Sequence, residues 1–157
     1  MTRLLLEATF LVDQERGGMN IYEAVLEEDD VAIAAVAVAE LETGVHLASE
    51  NRRAQRQAFV DRIVESVEVV PYDLEVAREH GHLIAHTRRS GRRRGHHDLM
   101  VAATAATSDR VVVSADQGAF EDLPGVVFLR SPCLGPDLAS GVDGRPVLRP
   151  AHLGFEL

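Results

Sequence analysis

The chain has 157 residues, 46% of them hydrophobic, and a formal net charge of -9. That length suits one globular domain with a sizeable core, and the acidic balance excludes a general nucleic-acid coat, whose affinity comes from basic residues placed on phosphates. All 16 basic residues are arginine, which excludes P-loop NTPases, Schiff-base enzymes and other phosphotransfer sites that need a lysine.

Short β-type runs alternate with helical segments, the pattern of an α/β fold with a parallel sheet. The first strand is expected from Arg3 to Leu6. A helix follows from Met19 to Glu28, capped by Asn20, with Ile21, Ala24, Val25 and Glu28 at helical spacing. The second strand spans Val31 to Ala34, and Ala35 to Ser49 reads as a buried helix in which Val38, Leu41, Val45 and Ala48 recur three to four residues apart. Asn51 caps an Arg-rich amphipathic helix to Val64, with Ala54, Ala58, Val60 and Ile63 on its apolar face. Val67 to Val70 forms the third strand and Pro71 ends it. Asp73 caps a long helix to Arg89 whose inward residues are Leu74, Ala77, Leu83 and Ile84. Gly91 breaks the pattern, Arg92 to His97 is a loop, Asp98 to Ser108 is an Ala-rich helix, Val111 to Ser114 is the fourth strand and Val126 to Leu129 a short fifth.

Residues 1–130 thus make one domain, and the Pro/Gly-rich 131–157 segment is a tail: an ordered extension on a neighbour, a flexible end, or vector-derived residues. No apolar stretch approaches the roughly 20 residues that cross a bilayer, and the N-terminus lacks a basic segment followed by a long apolar run. A cytoplasmic location is expected. The single cysteine, Cys133, forms neither an intrachain disulfide nor a Cys-rich zinc site.

Four carboxylates, Glu7, Glu40, Asp98 and Asp116, each stand where an apolar block begins or ends. Parallel strands place their carboxyl ends along one rim, where such folds bind ligands. Glu7 and Asp116 belong on that rim, with Asp98 and Glu40 added by helices that start there. Carboxylates about 5 Å apart repel by roughly 3 kcal/mol per pair at an effective dielectric near 20, so such a cluster protonates in part or holds a cation. Hard oxygen donors suit Mg²⁺ or Mn²⁺ and, through them, phosphodiester chemistry. Taken singly, Asp98 is a helix cap, Asp116 a turn residue and Glu7 an edge charge. Glu40 interrupts an apolar stretch and needs a partner.

Arg88, Arg89, Arg92, Arg93 and Arg94 crowd just before Asp98. A charge run of this kind is a solvated loop or, beside an acidic rim, a source of positive potential for RNA phosphates or an acidic protein segment. His96 and His97 adjoin Asp98 and are candidates for RNA or metal contact. With no Trp and 4% aromatic residues, extensive base stacking is not expected.

The segments LLLEATFLV, VAELETGV, HDLMVAATA and VVVSADQGAFEDLPGV occur in the order found in PIN-domain proteins, and over residues 3 to 130 the chain resembles the toxin ribonucleases of VapBC-type toxin–antitoxin pairs. The resemblance implies an α/β/α sandwich around a parallel sheet of four to five strands, Mg²⁺- or Mn²⁺-dependent cleavage of single-stranded RNA, a toxin homodimer and inhibition by a cognate antitoxin. By position it assigns Glu40, Asp98 and Asp116 as catalytic metal ligands with Glu7 as the fourth. Thr9 and Ser114 fall where the family often has a hydroxyl near the metal, and Arg92, Arg93 and Arg94 become the RNA-binding arginines. There are two departures from the pattern. Glu7 stands where relatives have aspartate, and Ala34, Ala35 and Ala37 where relatives carry a Ser or Thr. The extra methylene of Glu7 shifts the carboxylate by roughly 1.5 Å, so a catalytically weakened protein that acts by binding antitoxin or RNA is the alternative.

Overall fold

Five short apolar runs become the strands of one sheet because each is too brief and too β-branched or leucine-rich to hide its apolar atoms alone. The structure, a computed structural model, describes residues 2–17 and 29–130; the expected Met19 to Glu28 helix, Cys133 and the 131–157 tail lie outside them. In chain order the elements are β1 (Arg3–Leu6), α1 (Ala8–Gly17), β2 (Asp30–Ala34), α2 (Ala35–His46), α3 (Glu50–Ser66), β3 (Glu68–Val70), α4 (Leu74–Ser90), α5 (His96–Ser108), β4 (Val111–Ser114), α6 (Gln117–Phe120) and β5 (Phe128–Arg130).

The strands are ordered β3-β2-β1-β4-β5 and every pair is parallel. Alternate residues along each strand enter different cores. Leu5, Ala32, Ala34 and Val112 pack with Val76 and Leu83 of α4 and with Leu99, Val101 and Ala102 of α5. Leu4, Leu6, Ile33 and Val113 pack on the other face with Phe10 and Leu11 of α1, Leu41 and Val45 of α2 and Val60 and Ile63 of α3. This is the expected α/β/α sandwich, with five strands. Burial of a leucine such as Leu5 or Leu6, each 0% exposed, contributes about 1.5–3 kcal/mol.

Several local expectations are corrected. Ala8–Gly17, unassigned from sequence, is a helix, nucleated by Glu7 at its start and held by Phe10 and Leu11. Ala54 and Ala58 of α3 are exposed, because only the second half of that helix meets the sheet, through Val60 and Ile63. Leu74 is 66% exposed, and the inward stripe of α4 is Val76, His80, Leu83 and Thr87. Two of its four members are polar, so counting apolar residues misses it. Ser49, rather than Asn51, precedes α3. Asp73 caps α4 as expected, its Oδ1 accepting from the Val76 N–H at 3.0 Å. Gly91 ends α4 at φ 69, a left-handed conformation that glycine adopts without steric cost. The α5 helix begins at His96, not Asp98, and β5 starts two residues later than expected.

The order of strands creates the crevice. From β1 the chain moves outward to β2 and β3, then returns to the opposite side of β1 for β4 and β5. The carboxyl ends of β1 and β4 flank the reversal, the place where open parallel sheets bind ligands.

Candidate acidic active site

Glu7 is the pivot of that crevice. Its N–H donates to the Val113 carbonyl at 3.0 Å, and its own carbonyl accepts from the Leu11 N–H at 3.2 Å, so one residue ends a strand and starts a helix. The residue as a whole is only 4% exposed. Its Oε2 accepts from the Thr9 N–H and from Ser114 Oγ, each at 3.1 Å, and from Thr9 Oγ1. Thr9 and Ser114, singled out from sequence as hydroxyls near the site, are therefore the groups that seat Glu7. Burial raises the Glu7 pKa above the ordinary carboxylate range, opposed by these donors and reinforced by the negative charge of Glu40.

Ser114 links two of the acids. While its hydroxyl donates to Glu7, its oxygen accepts from the Asp116 N–H at 2.9 Å, which shapes the turn carrying Asp116 out of β4. Asp116 itself is exposed. Asp98 lies in the first turn of α5, half-buried. Its pKa is raised by burial first, then by the charges of Glu40 and Asp116, while His97 and the Gly95 N–H act in the opposite direction. Glu40, from the middle of α2, accepts from His97 Nδ1 at 2.9 Å.

The fold therefore brings together residues spread from position 7 to position 116. Glu40 is felt electrostatically by both Glu7 and Asp98, and Asp116 by Asp98. As they stand, no three Asp, Glu, His or Cys side chains among the described residues are arranged to hold one cation. Glu40 is turned to His97, whose side chain is 60% exposed.

Two features of the site were not legible beforehand. The first is Gly95, the residue before α5: a Cβ there would lie 2.6 Å from Asp98 Oδ2, so only glycine leaves the Asp98 carboxylate where it is. The second concerns the arginines. Arg92 pairs with the carboxylate of Asp122, and Arg94 Nη2 donates to the Glu121 carbonyl at 3.2 Å. Arg93 is exposed. Contacts that span 27 and 30 residues leave no local trace in a run of arginines.

A parallel sheet sandwiched between helices, with acids near its carboxyl rim, defines an α/β/α domain. Residues 4–126 match the PIN domain family. Over 100 residues the chain is 37% identical to Ribonuclease VapC5 of Mycobacterium tuberculosis, a match covering 63% of this chain and 73% of that protein. It is 31% identical over 103 residues to the tRNA(fMet)-specific endonuclease VapC of Salmonella typhimurium, covering 64% and 75% respectively. Among solved structures, that of VapBC-5, a member of the VapBC family of toxin-antitoxin systems from Mycobacterium tuberculosis, superposes with a TM-score of 0.69 at 29% identity, covering 83% of this chain and 100% of the other. The chain belongs to the PIN-domain family.

Proposed function

We propose that the protein is an endoribonuclease toxin of the VapC type, which cleaves single-stranded RNA with Mg²⁺ or Mn²⁺ and is held inactive by a cognate VapB-like antitoxin. The observation that carries this reading is the buried Glu7 at the switch point of the sheet, seated by Thr9 and Ser114 beside the turn that carries Asp116. The relatives named ribonuclease and endonuclease support the reaction class. The toxin–antitoxin complex of similar fold supports the partner. A homodimer and a cytoplasmic location complete the proposal.

The donor set fits a hard divalent cation. Two of the acids resist ionisation through burial and like charge, and a cation among them removes that cost. Glu7, Glu40, Asp98 and Asp116 would hold it, with Glu40 exchanging His97 for the metal. Such an ion supplies an activated water and neutralises charge at a phosphate. The chain's own residues do the rest. Thr9 and Ser114 fix Glu7, the Gly95 N–H and the first turn of α5 orient Asp98, and Arg93, with Arg88 and Arg89 exposed at the end of α4, attracts RNA backbone.

Purified protein should cleave single-stranded RNA with Mn²⁺ or Mg²⁺ and stop with EDTA, and Asp98→Asn should abolish cleavage. Cleavage indifferent to chelator would sink the proposal. Co-purification with the product of a neighbouring small reading frame tests the antitoxin. The alternative, a weakened domain acting by binding, draws on the unusual length of Glu7 and is separated by Glu7→Asp. Cleavage rising well above the parent assigns impairment; equal or lower cleavage assigns Glu7 as a working acid.

A further inference from the structure

We propose that Arg94, helped by Arg92, is a positioning residue: it docks the start of α5 onto the turn after α6 and so sets Asp98 against Asp116. The inference rests on the acidic site being the catalytic one. Asp98 is in the first turn of α5, and Asp116 immediately precedes α6. Between the end of α4 at Ser90 and the start of α5 at His96 the chain forms neither helix nor strand. Nothing within that stretch dictates where α5 begins.

Two side chains pin it. Arg94 Nη2 donates to the main-chain oxygen of Glu121, and Arg92 pairs with Asp122. Asp122 has φ 61, a left-handed corner that aspartate tolerates better than most residues. Because Arg94 binds a carbonyl, it fixes backbone against backbone. Its Nε is buried and has no partner among the described residues, so the guanidinium is packed into the seam. A phosphate-binding arginine would instead offer its donors to solvent. Arg92 and Asp122 are 62% and 63% exposed, and an exposed pair is screened and weak; Arg94 therefore carries the larger share. The run of arginines thus divides, with Arg94 turned into the protein and Arg93 outward. Displacement of a catalytic group by about 1 Å costs around a hundredfold in rate, so loosening this seam should register in turnover.

The test compares Arg94→Ala, Arg94→Lys, Arg93→Ala, Asp122→Ala and Asp98→Asn in the full chain. It reads kcat and KM on a single-stranded RNA oligonucleotide and, without RNA, Mn²⁺ affinity by electron paramagnetic resonance of the free ion. Arg94→Ala should lower kcat about tenfold or more and weaken Mn²⁺ binding while KM stays within about twofold. Arg94→Lys should recover part of both losses, and Arg93→Ala should raise KM. Asp122→Ala should lower kcat slightly without tightening RNA binding. A rise in KM for Arg94→Ala with kcat and Mn²⁺ affinity unchanged would make Arg94 a phosphate contact and overturn the inference. So would tighter RNA binding by Asp122→Ala, which would show Arg92 released to bind RNA. If Arg94→Ala does not fold, Arg94→Lys and Asp122→Ala decide on the same readouts. Asp98→Asn separates the two failures. If it cleaves like the parent, the acidic-site reading fails and takes this one with it. If it is inactive while Arg94→Ala matches the parent in kcat and Mn²⁺ affinity, the seam alone is refuted.

Discussion

Glu7 shows how one side chain can serve a fold and strain it. Its oxygen caps the first turn of α1 and receives both hydroxyls of the site, yet burial pushes its pKa up. The linkage has a definite sign. A carboxyl whose folded pKa is raised contributes stability that is present below its unfolded value and lost as pH rises through the folded one. Asp98, raised by burial and by two neighbouring acids, adds in the same direction. In EDTA the protein should therefore gain from these two groups on mild acidification from neutral pH. Glu7→Gln keeps the shape and an acceptor oxygen but removes the charge. Its melting temperature in EDTA should exceed the parent's at pH 7 to 8 and converge with it towards the ordinary carboxylate range, while Mn²⁺ affinity falls at least about tenfold. A thermal melt series against pH, with and without Mn²⁺, reads both. A variant no more stable than the parent at neutral pH would show that the three donors already compensate the buried charge.

The ends of helices separate stability from function at the scale of elements. Asp73 caps α4 with its side chain, bonding the Val76 N–H, at a position outside the acidic cluster. Asp73→Ala should cost about 1 kcal/mol of stability and leave Mn²⁺ affinity unchanged. Gly95 starts α5 without any side-chain cap, because a side chain there would strike the Asp98 carboxylate. Gly95→Ala should change stability by less than about 1 kcal/mol but weaken Mn²⁺ binding and reduce cleavage by up to about a hundredfold. Chemical denaturation and metal titration of the two variants should give opposite rankings; equal losses of stability with equal metal affinity would refute the division. The same contrast explains what was legible in the amino-acid sequence. Strands such as Val111–Ser114 and the Asp73 cap are written locally, in a β-branched run and in one acid before a helix. That Glu7 and Asp116 share the carboxyl rim was expected because each follows an apolar strand run, and Ser114 links the two. What escaped notice depends on space between distant residues: α1, whose first turn borrows Glu7 from the strand end, the polar members His80 and Thr87 of the buried face of α4, and the room that Gly95 leaves for Asp98.

At the scale of the whole molecule, the two rims of the sheet do different work. The carboxyl rim gathers repelling acids, so cohesion must come from elsewhere, and the opposite rim supplies it through Arg110. This guanidinium, 1% exposed at its side chain, precedes β4 and reaches across the first residues of β1, β2 and the edge strand β3. Nη1 donates to the Asp30 carboxylate and carbonyl at 2.9 Å and to the Leu4 carbonyl at 3.4 Å, and Nη2 donates to Glu68 Oε2 at 2.7 Å. One residue thereby ties β4 to β1, β2 and β3. Replacement by leucine should cost about 3 kcal/mol, since it removes the charge-assisted bonds that the buried guanidinium makes to Asp30 and Glu68. On a domain of this size that is roughly a 10 °C fall in melting temperature. Hydrogen bonds from Arg110 and Arg3 hold the Asp30 pKa below its ordinary value, and a depressed carboxyl contributes stability that is present above its unfolded value and lost as pH falls through the folded one. The gap between parent and Arg110→Leu should accordingly narrow in strong acid, below about pH 4. Because the change lies at the far end of the strands from Glu7 and Asp116, Mn²⁺ affinity and cleavage per folded molecule should persist at low temperature. Loss of metal binding in a variant that is still folded would mean that the two rims are mechanically coupled through the sheet.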